Sequence, residues 1–184
     1  PLFNEKSFNW TDWDVKGFTG IELWNQMSEF KTRSQTLPKA ALHALFPGFM
    51  MLSPLEQTLK LWDELLLTHK HPIVAVAGVD AHAQSYRAGP FKVQVYPYET
   101  LFRSITTHIV TPKVLSGEIN SDRRMVYEAL SAGHCFCAND LPYPTRGFRF
   151  TCNNNDGTFW MGDRVSADAG LTFQVRAPIR THIR

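Results

Sequence analysis

The sequence predicts an α/β fold over residues 1–140, followed by a small antiparallel β module over residues 141–184. Three observations carry that prediction. From Ile73 to Val79 the chain is an unbroken run of small and β-branched apolar residues, the pattern of a short strand buried on both faces. Segments beginning at Ser53 and at Ser121 carry helix-start signals and continue with apolar residues at helical spacing. Beyond Leu141-Pro142-Tyr143-Pro144 the chain changes to short alternating stretches separated by turns, with no helix signal.

In chain order, residues 1–17 set Phe3, Phe8, Trp10 and Trp13 among polar and charged residues. They read as a connecting segment packed onto a core, with a carbohydrate-stacking platform as the alternative. Phe18 to Trp24 is expected to be a short strand whose end carries Glu22 and Asn25. Met27 to Leu37 is helical in part, and Lys39 to Phe46 is a short helix stopped by Pro47-Gly48. Ser53 suits an N-cap, Pro54 the first helical position and Glu56 a capping box. Leu55, Leu59, Trp62 and Leu66 then share one face, and the helix ends near His69, whose protonated ring suits a helix C-terminus.

Ala83 to Pro90 is expected to be a polar loop, Phe91 to Tyr96 a strand and Tyr98 to Arg103 a turn of helix. Ile105 to Val110 is a further strand, with His108 as a lone hydrogen-bonded core histidine. A helix from Ser121-Asp122 carries Met125, Val126, Ala129 and Leu130 and stops at Gly133. His134 to Ala138 follows as a strand, with Cys135 and Cys137 on one face. Phe148–Cys152, Thr158–Met161 and Leu171–Val175 are the strands of the module, and Asp156-Gly157 is a hairpin turn.

Composition narrows the class. With 43% hydrophobic and 20% charged residues, 184 residues are enough to bury a core in the ordinary globular range. A net charge of +2, with basic residues scattered apart from Arg176, Arg180 and Arg184, gives no footprint for duplex nucleic acid. Three cysteines, an odd number, point to a reducing compartment and a cytoplasmic protein. Cys135, Cys137, Cys152 and His134 lack the paired spacing of a structural zinc site. The apolar stretch Ala40 to Leu52 is too short to span a bilayer, so neither a membrane segment nor a signal peptide is expected. The chain opens without methionine and closes soon after a strand, so it reads as the C-terminal portion of a longer protein.

Chemistry concentrates at the end of the apolar run, where Asp80 and His82 stand two positions apart. In extended chain such residues point the same way, about 6.5 to 7 Å apart, so both could reach one cation. A carboxylate and a neutral imidazole suit Zn, Mn or Fe. Gly78 leaves room for close packing beneath them. His69-x-His71 lies at the opposite end of the strand and is read as outside this site. Arg87, in the following segment, has the planar fork that binds a phosphate oxygen pair.

The segment Gly78-Val79-Asp80-Ala81-His82 resembles the last metal-binding motif of the PHP (polymerase and histidinol phosphatase) superfamily of metal-dependent phosphoesterases. GIELWN at Gly20 to Asn25, LWDELL at Leu61 to Leu66 and YEALSAGHCF at Tyr127 to Phe136 fit the same family in order, so the resemblance spans Phe18 to Asp140. It implies that residues 1–140 form the C-terminal part of a distorted seven-stranded β/α barrel. It also implies hydrolysis of a phosphate ester, on a phosphorylated small molecule or nucleotide, with two or three divalent ions. Asp80 and His82 match the metal-ligand motif; Glu22, Asn25 and Arg87 fall on the substrate side. The family's early His-x-His, acidic ligand and middle histidines lie upstream of this chain, whose partner is then the remainder of its own barrel. The 184 residues alone are expected to be inactive. Two alternatives stand beside this reading: a non-catalytic binding module on a degenerate barrel, and an amidohydrolase-type barrel acting on C–N bonds.

Overall fold

A computed structural model describes residues 10–12, 14–50, 52–83, 85–88, 90–167 and 170–183, with the side chains of Phe49, Met50, Tyr86, Arg87, Ala88, Phe91 and Val93 outside that description. The chain runs β1 (Gly20–Asn25), α1 (Gln26–Arg33), α2 (Leu37–Leu45), α3 (Pro47–Met50), α4 (Glu56–Thr68) and β2 (Val74–Gly78). It continues through β3 (Ser85–Ala88), β4 (Phe91–Gln94), α5 (Tyr98–Phe102), β5 (Ile105–Ile109), α6 (Ile119–Ala132) and β6 (Cys135–Asn139). The last strands are β7 (Arg149–Asn154), β8 (Gly157–Trp160) and β9 (Thr172–Arg176). The fold is therefore mixed α/β, and its described strands form four small sheets with no closed barrel.

The pair that positions the site is β1 with β2, which run parallel from Gly20 opposite Val74 to Asn25 opposite Gly78. Parallel neighbours need a long crossover, here supplied by α1 to α4. The strands approach so closely at Gly20 that a Cβ there would lie 2.4 Å from the Val74 carbonyl oxygen. A bulge between Glu22 and Trp24 lets the consecutive residues Leu23 and Trp24 both be buried while Glu22 stays exposed. On the crossover, Trp62 Nε1 donates to the Ile73 carbonyl at 2.7 Å, tying α4 to the entry of β2.

Beyond β2 the backbone ladder gives way to side-chain bridges. Thr107 Oγ1 on β5 accepts from Ala77 N and donates to Ala77 O, both at 2.8 Å. The Cys135 and Cys137 thiols of β6 approach the Ala75 carbonyl at 3.8 and 3.7 Å. Burial raises both thiols, Cys137 to about 12, with the neighbouring Cys135 adding to it. Both are therefore held as neutral thiols. Strands β5 and β6 are antiparallel neighbours joined through α6.

A buried cluster of Met27, Phe30, Tyr96 and Leu101 joins α1 to the segment before α5. The Tyr96 hydroxyl donates to the His43 carbonyl at 2.8 Å, and the His43 ring meets Ser34 Oγ at 2.7 Å. Burial, and then the nearby charges of Arg33 and Lys39, hold His43 below its ordinary value.

Several local expectations shift. Helix α4 starts at Glu56, with Leu55 at the cap position and no side-chain cap bond. The reason is tertiary: the buried Glu29 carboxylate accepts the Leu55 amide at 2.7 Å and an Arg33 bond at 2.9 Å. The inward residue of its last turn is Leu65, 6% exposed, whereas Leu66 is 39% exposed. Helix α2 ends at Leu45 with Phe46 as its cap, ahead of Pro47-Gly48 as expected, and Pro47 then opens the short helix α3, since proline suits a first helical position. Helix α6 begins two residues early, capped by Glu118, whose carboxylate accepts from Asn120 N and Ser121 N. Residues expected as a loop after His82 instead hold β3, which pairs antiparallel with β4.

The module is a three-stranded antiparallel sheet in the order β8, β7, β9. Asn154 Oδ1 accepts from the Asp156 and Gly157 amides, forming the expected hairpin turn. The sheet sits against the α/β part at Gly162, where a Cβ would lie 2.4 Å from Ala132 O and 2.6 Å from Gly133 C. His134 Nε2 meets Asp163 Oδ1 at 3.0 Å, and Arg164 donates to the Lys70 carbonyl at 3.1 Å. No helix among the described residues is long and apolar enough to cross a membrane.

Candidate functional site

Strand β2 ends at Gly78, two residues before Asp80, and the backbone then turns: Asp80 and Ala83 adopt φ of 48° and 45°. The pair therefore does not meet through extended-chain geometry. Instead, the left-handed turn at Asp80, a conformation Asp tolerates better than most residues, folds His82 back toward it. His82 Nδ1 lies 2.6 Å from the Asp80 carbonyl oxygen and 3.3 Å from Asp80 Oδ1. A carbonyl only accepts, so Nδ1 carries the proton, and in the neutral ring Nε2 keeps its lone pair. Nε2 has no hydrogen-bond partner among the described residues. Both side chains are open to solvent, at 54% for His82 and 42% for Asp80.

Glu22 and Asn25 stand at the matching end of β1. Glu22 Oε1 lies directly over Gly78, where a Cβ would approach it to 2.8 Å, so the missing side chain at Gly78 is what admits the carboxylate. Asn25 Nδ2 donates to Glu22 Oε2 at 3.0 Å, while Asn25 Oδ1 accepts the Ser28 amide and caps α1. One amide side chain thus orients the acid and starts the helix. Glu22 and Asn25 also line a cleft of about 770 Å³ that continues past Trp10, Phe18 and Leu55. No lysine or arginine among the described residues lines it.

The remaining expectations distribute as follows. Arg87 lies on β3 opposite Lys92, and its side chain falls outside the described residues. Of the aromatic segment, Phe3, Phe8 and Trp13 also lie outside them, whereas Trp10 is 61% exposed at the cleft. His69 caps α4, its Nδ1 donating to the Leu65 carbonyl at 3.0 Å.

His108 has partners that its sequence position did not reveal. Its Nε2 lies 2.9 Å from Asp140 Oδ2 and 3.1 Å from Thr145 Oγ1, and its ring stacks on Phe136 at 4.7 Å. Asp140 also accepts from the Thr145 amide and from the hydroxyls of Thr145 and Thr106. Burial raises the Asp140 carboxyl, but these bonds from Thr145, Thr106 and His108 outweigh it and hold the group below its ordinary range. Acid and hydroxyl meet the same imidazole nitrogen, so this is not the relay of a nucleophilic triad, which needs both nitrogens. Thr106 and His108 at alternate strand positions, with an acid just after β6, were the signal available.

Among the described residues no group of three or more His, Cys, Asp or Glu is arranged to hold a metal ion. Asp80 and His82 are donors of suitable type, but they meet at the proton-bearing Nδ1, so both would reach one ion only with the Asp80 carboxylate turned to the Nε2 edge of the ring. No family model, no curated protein and no solved structure matches this chain.

Proposed function

We propose that this chain is the C-terminal part of a β/α barrel of a metal-dependent phosphoesterase similar to the PHP superfamily, with residues 141–184 as an appended β module. The observation carrying this reading is the turn that brings Asp80 and His82 together beyond the end of β2, the strand whose last residue, Gly78, lies under Glu22 of the parallel neighbour β1. The ends of parallel strands are where α/β proteins build their sites. Asp80 Oδ and His82 Nε2 would hold a divalent ion such as Zn, Mn or Fe, whose chemistry is to bind phosphate oxygens and acidify water. The protein's own residues set the stage: the Asp80 carbonyl fixes the His82 tautomer and Asn25 orients Glu22. The ligands that two residues cannot supply would come from polypeptide upstream, the remainder of the barrel. Three free cysteines suit a reducing, cytoplasmic setting.

The test is hydrolysis of a phosphomonoester with Mn²⁺ by a polypeptide joining this chain to an upstream His-x-His segment. The reading expects Asp80→Ala to lower kcat by about a hundredfold or more, the scale on which metal sites lose activity. Undiminished turnover by that variant would remove the assignment. A second reading, a non-catalytic binding module, draws on the exposed Trp10 at a cleft with no basic residue among its described lining. Saturable binding of a neutral oligosaccharide that Trp10→Ala abolishes, without metal dependence, would favour it.

A further inference from the structure

The β module carries a separate charged feature. Residues 141–184 contain six arginines and no lysine, against three aspartates and no glutamate, so positive charge collects there. Two of these arginines stand directly across from one another: Arg149 on β7 pairs with Arg176 on β9, and Thr151 with Gln174. Directly opposed residues of an antiparallel pair share a face, and like charges so placed repel. Trp160 on β8 opposes Thr151 and lies on the same face. The Arg149 guanidinium stands 5.9 Å from the centre of the Trp160 ring, and its Nη1 donates to the Phe148 carbonyl at 2.7 Å. That arginine is therefore held in place with most of its donors still free.

Neither guanidinium has a carboxylate partner among the described residues, whose arginine ion pairs include Arg33 with Glu29 and Arg103 with Glu99. Between them lies a shallow hollow of about 380 Å³ lined by Arg149, Thr151, Gln174, Val175 and Arg176. We propose that this hollow binds the phosphate group of a small phosphomonoester. Two forked cations with a hydroxyl and an amide beside them match a tetrahedral dianion, which would also cancel their repulsion. A nucleic-acid strand is the poorer fit, because the Trp160 face that a base would stack on is occupied by Arg149. The site shares no residue with the β1–β2 cleft and does not depend on the metal reading.

The test is an amide NMR titration of the 184-residue chain with inorganic phosphate and with phenyl phosphate at low ionic strength. Saturable shifts are expected at Arg149, Thr151, Gln174, Arg176 and the Trp160 indole. Arg176→Gln and Arg149→Gln should each weaken binding about tenfold, as loss of a charge-assisted hydrogen bond implies. Arg180→Gln, which removes an equal charge from an exposed position outside the hollow, should leave it unchanged. Shifts spread over all the arginines, or equal weakening by Arg180→Gln, would overturn the proposal. Sedimentation with phosphatidic acid vesicles, lost in Arg176→Gln, would place the phosphate on a lipid headgroup. Saturable phosphate binding without such sedimentation would place it on a soluble molecule.

Discussion

Asp140 shows how much a single residue can organise. Its carboxylate gathers Thr106, His108 and Thr145 around the end of β6, at 23% exposure for both Asp140 and His108. Asp140→Asn keeps the shape but replaces one acceptor oxygen by a donor facing donors, so at pH 7 it should cost about 1–3 kcal/mol of stability. The folded pKa lies below the ordinary 3.8, so this contribution is full above that value and is lost as pH falls through the folded pKa. Urea midpoints of wild type and variant should accordingly draw together below about pH 4. A gap that ignores pH would mean that the carboxylate charge is not what the network uses. At this scale residue types were more legible than their geometry. The Asp80 and His82 pair was readable from spacing, but the turn that joins them depends on a positive φ that spacing does not encode. The partners of His108 come from positions 32 and 37 residues away, beyond any local pattern.

At the scale of elements, two glycines on one strand pair should behave oppositely. A Cβ at Gly20 would meet the Val74 carbonyl oxygen at 2.4 Å, and neither backbone can yield without breaking the β1–β2 ladder. Gly20→Ala should therefore destabilise the protein by about 1–3 kcal/mol, the usual cost of overpacking. At Gly78 the obstacle is the Glu22 carboxylate, the end of a flexible and exposed side chain. Gly78→Ala should leave the urea midpoint nearly unchanged while displacing the Glu22 carboxylate from its place over residue 78. Equal destabilisation by both would show that Glu22 is not free to move. Elements with strong local signals, such as the β2 run and the Gly133 stop, were legible in the sequence. Start positions were not, because Glu29 takes the Leu55 amide from across the fold and Glu118 caps a helix whose serine looked the better cap. Of the β3–β4 hairpin the second strand was legible, whereas β3 was not, because Ser85–Ala88 is only four residues long and sits in a stretch bearing Gly89 and Pro90.

For the whole molecule, the junction between the α/β part and the module rests on the approach of Gly162 to Ala132 and Gly133, backed by the His134–Asp163 pair. Gly162 has φ of 95°, so an alanine there is strained and would also press into backbone. Gly162→Ala should lower the thermal midpoint by several degrees, since about 1 kcal/mol moves a chain of this size by about 2–4 °C. It should also open residues 141–148 to limited proteolysis, and an unchanged cleavage pattern would show that the two parts are not held together there. The change to strands and turns after Leu141 was legible in the sequence, whereas the sheet arrangement was not. Thr107 bridges to β2 through its hydroxyl, and a threonine within Ile105-Thr106-Thr107-His108-Ile109 does not announce that.

The proposed function requires that Asp80 and His82 bind one cation beyond the end of β2. Its most direct test is a Mn²⁺ titration of the 184-residue chain, read by paramagnetic broadening of assigned amide resonances. The account predicts selective broadening of residues 78–83 and 22–25 that disappears in Asp80→Ala and in His82→Ala. Broadening centred elsewhere, or undiminished in both variants, would contradict it.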